Sequence, residues 1–265
     1  MAREVSSISR VGTSEPFELQ ISRGQIAYHE FIHKFGYNPG IADSNETVWS
    51  QGGLYVYPTS ASTMYISSSS TADTAAGTGA RTVTVSGLDA NFDEISETVS
   101  LNGQAGVQLN GALNWYRVNR VVVNTAGSGG ANAGVLYVGT EATPSGGVPT
   151  NKYATVAIGD NQTLMCLWTV PRGYTAYLHQ KDVSASSSAG KFAIFTLVSR
   201  PDGGVFNVKD RVTLANNSTS IPYWNPIVFT EKTDIEVRAE ADSVGGTITA
   251  SATLDITYIK NGSDL

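Results

Sequence analysis

Apolar and polar residues alternate one for one along most of this chain. Thr63, Tyr65 and Ser67 interleave with Met64 and Ile66, and Thr82, Thr84 and Ser86 interleave with Val83 and Val85. Successive side chains of a strand point to opposite faces, so this period of two predicts half-buried strands. The clearest case is 247–259. There Ile248, Ala250, Ala252, Leu254, Ile256 and Tyr258 form one face, and Thr247, Thr249, Ser251, Thr253, Asp255 and Thr257 form the other. Residues 87–91 read as a turn, followed by a strand with Ile95, Val99 and Leu101 sharing a face with Glu97, which is a hairpin signature. Further strands are expected at 115–124 and, after the glycine loop 126–134, at 134–140. Beyond that they recur at 153–158, 162–170, 174–181, 191–199, 204–208, 226–230 and 233–241, the spacing of a sandwich or jelly roll.

No stretch of comparable length has a period of 3.6, and no fixed-period repeat occurs. Residues 1–52 mix Gly, Pro and aromatics without periodicity and read as an extended arm with at most a short helical turn. The Pro- and Gly-rich stretch EATPSGGVPTN at 141–151 reads as a connection between domains. The predicted fold is therefore all-β: an N-terminal extended arm (1–52) and two antiparallel β-sandwich or jelly-roll-like domains (53–143 and 152–265), joined by a linker at 144–151.

Composition supports this. Only 15% of the 265 residues are charged, against about 25% in an average domain. Small hydroxyl residues and 27 glycines fill the gap, which suits wet sheet faces and tight turns. A net charge of −6 and a pI near 5.1 offer no basic stripe for phosphates, so no nucleic-acid partner is expected. The single Cys166, flanked by Met165, Leu167 and Trp168, excludes an internal disulfide and reads as a buried inert thiol. The opening MAREVSSISRVG lacks the apolar core of a signal peptide, and no run approaches the roughly 18 apolar residues of a membrane span. A soluble product of the cytoplasm with no membrane partner is expected.

The most specific chemical motif is His29-Glu30-x-x-His33, the HExxH of zinc hydrolases. That chemistry needs a helix, so that both histidines face the metal, and a third ligand. A helix over 25–35 would give Tyr28, Phe31, Ile32 and Phe35 one apolar face. Yet Pro39 stands where a third histidine would fall, and the remaining His179 lies in an expected strand. HExxH is read as coincidental, and no catalytic residue, metal or cofactor is assigned; a zinc hydrolase stays a remote alternative. The loop AGSGGANAG satisfies neither dinucleotide nor P-loop spacing and is followed by a strand. Asp89, Asp93, Glu94 and Glu97 do not have EF-hand spacing and read as a solvated hairpin tip. Aromatic residues remain as candidate interface anchors or sugar platforms: Tyr28, Phe31, Phe35, Tyr37, Trp49, Tyr223 and Trp224.

Several strings carry a resemblance: HKFGYNPGIAD (33–43), the stretch 48–103 opening VWSQGGLYVYP, YRVNRVVVNTAGSGGANAGVLYVG (116–139), QTLMCLWTVPRGYTAYL (162–178) and FTEKTDIEVRAEAD (229–242). Together they resemble a family of tailed-phage virion structural proteins frequent in marine phages. Lys34-Phe35-Gly36 and Asn38-Pro39 carry the family pattern; His29, Glu30 and His33 do not. The resemblance implies a non-enzymatic β protein, made in a host bacterial cytoplasm and located in the virion. The expected role is a capsid decoration or cement-type protein, or a head-proximal one, attached through its N-terminal arm. Expected partners are the major capsid protein or other virion proteins, with further copies of itself as a homo-oligomer, three being the guess. The alternative is a tail- or fibre-associated adsorption protein that binds host glycans.

Overall fold

The period-two stretches fold as strands, and the chain is all-β as expected. The structure, a computed structural model, describes residues 15–110, 113–186, 191–242 and 248–262. A short helix α1 (Phe17–Ser22) precedes β1 (His29–Asn38) and β2 (Glu46–Thr47). Then come β3 (Tyr65–Ser68), β4 (Ala80–Asp89), β5 (Glu94–Ser100), β6 (Val107–Gln108), β7 (Trp115–Ala126), β8 (Leu136–Gly139) and β9 (Ala154–Val156). The rest are β10 (Leu167–Thr169), β11 (Tyr174–Ser186), β12 (Ala193–Arg200), β13 (Asn207–Leu214), β14 (Ser218–Phe229), β15 (Asp234–Ala241) and β16 (Thr249–Lys260).

Two antiparallel sheets, β1-β16-β11-β14 and β10-β15-β12-β13, enclose a core of Trp168, Leu178, Phe195, Leu197, Ile235, Val237, Leu254 and Ile256; β2 adds to β15. Number these strands along the chain, β1 first and β10–β16 after it, and the two sheets read 1-8-3-6 and 2-7-4-5. That order is an eight-stranded jelly roll. The residues between its first and second strands build another unit. Its sheets β5-β4-β7 and β6-β3-β8-β9 surround Met64, Ile66, Val83, Val85, Trp115, Val121, Leu136 and Val138. The two β units are therefore nested, with one inserted into a connection of the other.

This corrects the extended arm expected over 1–52. Residues 29–38 are the first strand of the jelly roll, paired with β16 along their whole length from His29↔Ile259 to Asn38↔Ala250. Of that segment, residues 1–14 lie outside the described residues. The 144–151 stretch also differs from a linker. It makes a single 3-10 turn at Ser145–Gly147, and Ser67 Oγ donates to Gly147 O, 2.9 Å away. β9, beyond it, completes a sheet of the inserted unit. The expected turn at 87–91 starts later, at Asp89, because β4 runs to that residue and Phe92 takes the left-handed φ of 66°. β13 and β14 extend well beyond the short strands expected at 204–208 and 226–230. β11 likewise runs past the strand expected at 174–181, to Ser186.

Candidate functional site

The HExxH residues lie on a strand. Four residues along β1 span about 13 Å, so the two histidines are not stacked one helical turn apart as the zinc motif requires. Each imidazole has another partner. His33 Nδ1 is 2.5 Å from Asp255 Oδ1 on β16, and His29 Nδ1 is 2.9 Å from Ala27 O. Among the described residues no group of three or more His, Cys, Asp or Glu side chains converges on a metal-sized site. The acidic hairpin is likewise taken up by its own contacts. Asp89 Oδ1 accepts the N–H groups of Asn91 and Asp93, Asp93 grips Arg172 through both oxygens, and Glu97 accepts Asn110 N. Asp73, fully buried, ties the glycine loop down by accepting Ala133 N, Gly134 N and Ala80 N at 2.7–2.8 Å and the Ser68 hydroxyl at 2.6 Å. Cys166 is buried, and desolvation pushes its thiol up to about 12.

The interface candidates divide. α1 packs beside the start of β1, with the Phe17 ring edge-on to His29 at 5.8 Å. Around it Phe17, Leu19, Tyr28 and Phe31 remain 39%, 45%, 54% and 43% exposed. Farther along β1, Tyr37 is exposed on the same outward face, and Phe35 is half-buried under the Arg120 guanidinium. Trp49 is no surface anchor. It is 3% exposed in the core of the inserted unit, edge-on to Tyr55, and its Nε1 donates to Gly53 O. Tyr223 is half-buried and donates its hydroxyl to Asp210, which also pairs with the fully buried Lys181. Its neighbour Trp224, on the sheet-edge strand β14, is 93% exposed.

Sequence reasoning missed the junction between the two units. Arg117 of β7 reaches Asp234 of β15 through two hydrogen bonds of 2.9 and 3.1 Å, and both side chains are almost wholly buried. Thr169 and Arg200 complete the Asp234 carboxylate, and the Arg117 guanidinium lies over the Tyr116 ring at 4.1 Å. Burial pulls the Arg117 pKa down; the hydrogen bond and charge of Asp234 outweigh it and raise it. Nearby, Glu236 takes Arg238, Thr47 and Tyr57, and burial raises its pKa. The signal was present: charged residues stand among apolar ones, Arg117 and Arg120 in YRVNRVVV and Asp234 and Glu236 in TDIEV.

On the other side of the junction a cleft of about 300 Å³ lies between β1 and β4, β5 and β7. Lys34, Phe35, Glu94, Asn119, Arg120 and Thr163 are on its walls. Lys34 is buried on the inward face of β1, and its Nζ donates to the main-chain O of Asn119. Desolvation lowers its pKa to about 7. Asn119 is the extra residue of a β-bulge, since Ser86 pairs with Arg120 while Gly87 pairs with Val118. Its Oδ1 is buried with no hydrogen-bond partner.

No family model matches this chain, and no curated protein matches it. Among solved structures it is similar to infectious bursal disease virus of the Gx strain, at 13% identity and a TM-score of 0.29 over 97% of this chain and 80% of that one. The Gt strain of the same virus matches at 12% identity and a TM-score of 0.23, over 94% and 79%. The VP2 subviral particle of that virus matches at 11% identity and a TM-score of 0.23, over the same shares. At these values the likeness adds nothing to the strand order described above.

Proposed function

We propose that this chain is a non-enzymatic virion structural protein, a capsid decoration or cement-type or head-proximal component that joins the particle through its N-terminal end. The observation that carries this reading is the apolar surface at α1 and β1, where Phe17, Leu19, Tyr28 and Phe31 stand exposed together at the end of the chain where an attaching arm was expected. Soluble chains rarely leave such clusters bare unless a partner covers them, and each Å² covered contributes ~25 cal/mol, multiplied over the copies on a particle. The jelly roll is an architecture used by viral capsid domains and by lectins. Support also comes from the strings that resemble phage structural proteins, which span both units. In this reading the partners are the major capsid protein or another virion protein, and copies of the chain itself.

The experiment is attachment to particles made without this protein. The double variant Tyr28→Asp, Phe31→Asp is expected to stay folded, because both side chains face solvent, and to lose binding. Normal decoration by a folded double variant would remove the proposal. A second reading is favoured by Trp224, whose near-complete exposure on β14 suits stacking on a sugar ring, as in a tail-associated adsorption protein. A glycan array probed with the wild type and Trp224→Ala separates the two readings: sugar binding lost with Trp224 supports adsorption.

A further inference from the structure

Two incomplete groups meet where the inserted unit touches the jelly roll. Lys34 is buried, yet among the described residues no carboxylate lies within ion-pair distance of its Nζ. Its partner is the main-chain O of Asn119, and the charged or titratable groups that act on it are Arg120 and Cys166. Asn119 is 9% exposed, and its carboxamide oxygen has no donor. The two side chains thus line one cleft, with the amine bound to the backbone of the residue that carries the unsatisfied amide.

We propose that the Lys34 amine and the Asn119 carboxamide condense to an intramolecular amide that links β1 of the jelly roll to β7 of the inserted unit, with release of ammonia. The Nζ lone pair adds to Asn119 Cγ, and charge moves onto Oδ1. The Cγ–Nδ2 bond then breaks as the Nζ–Cγ bond becomes an amide. Nδ2 leaves as ammonia, carrying its own two hydrogens and the one that Nζ gives up, so nothing is oxidised or reduced. The attack needs a neutral amine, and burial supplies one near pH 7. The product removes a buried amine that has no carboxylate partner and ties together residues 85 positions apart in the two units, whatever role the particle assigns them.

Mass spectrometry of the denatured wild-type protein tests this. The intact chain is expected to be one ammonia lighter than its sequence, and proteolysis should yield a branched peptide containing Lys34 and Asn119. The branched peptide decides, because cyclisation of an asparagine onto its own backbone also sheds ammonia. Lys34→Arg should carry the full sequence mass, and Asn119→Asp should shed water in place of ammonia. A wild-type chain in which the Lys34 amine of the denatured protein is fully acetylated by reagent, with no branched peptide, overturns the proposal.

Discussion

Gly36 and Asn38 give a physical meaning to a string the sequence offered only as a pattern. Gly36 sits on the inward face of β1 where the chain at Val48 and Cys166 passes over it, and a Cβ there would overlap Val48 O and Cys166 N. Asn38 is buried, donates to Glu46 Oε2 at 2.8 Å and accepts Gly40 N, which turns the chain after β1. Gly36→Ala is expected to cost about 1–3 kcal/mol or more, read as a lower denaturant midpoint. Lys34 is the third inward residue, and its titration has a definite sign. Desolvation holds its folded pKa at about 7 against 10.5 in the unfolded chain, and the Asn119→Ala variant, which keeps the accepting main-chain O but has no amide to condense, leaves that amine free to titrate. Between those values the unfolded chain binds more protons, so stability rises with pH, by at most about 1.4 kcal/mol per unit. Below pH 7 both states are protonated and the dependence vanishes. Lys34→Met on the same background should flatten the slope in denaturant titrations between pH 7 and 10.

β1 was hidden in the sequence because its pattern is inverted. The face that points into the sandwich carries Ile32, Lys34, Gly36 and Asn38, while Phe31, Phe35 and Tyr37 point outward. A reader of hydrophobic periodicity finds the apolar stripe on the wrong side and sees no strand. β16, where Ile248 to Tyr258 alternate cleanly, was legible to within two residues. β14 was masked for another reason: Pro222 and Pro226 argue against a strand interior, and the edge position that tolerates them is a property of the sheet. The consequence for β1 is testable by truncation. Removing residues 1–14 should leave cooperative unfolding intact by circular dichroism. Removing residues 1–38 deletes a whole strand of the ladder and exposes Leu254 and Ile256, so it should abolish cooperative unfolding. A stable fold after the longer truncation would mean that β1 is an appendage after all.

Nesting belongs to the whole molecule, and local periodicity cannot reveal it, because alternation marks a strand without saying which strand it pairs with. The β class was legible from residues such as Val83, Val85 and the 247–259 run. The pairing of residue 29 with residue 259 was not. Once one unit is inserted into another, two chain crossings connect them, and side chains must fix their relative placement. Arg117 and Asp234 do so at the centre of the junction, buried and doubly hydrogen-bonded. Such a pair is worth little against apolar residues of the same shape, but breaking it from one side strands a charge. Arg117→Met is therefore expected to destabilise by about 3 kcal/mol, moderated because Arg200 still pairs with Asp234 at 2.5 Å. Asp234→Leu should cost at least as much, since it leaves two guanidinium groups unpaired instead of one carboxylate. The double variant should cost less than the sum of the singles, because the residues touch and each single change counts the same lost bond. Additive losses in denaturant unfolding would show that the pair does not couple, and that the units are held by their apolar contacts alone.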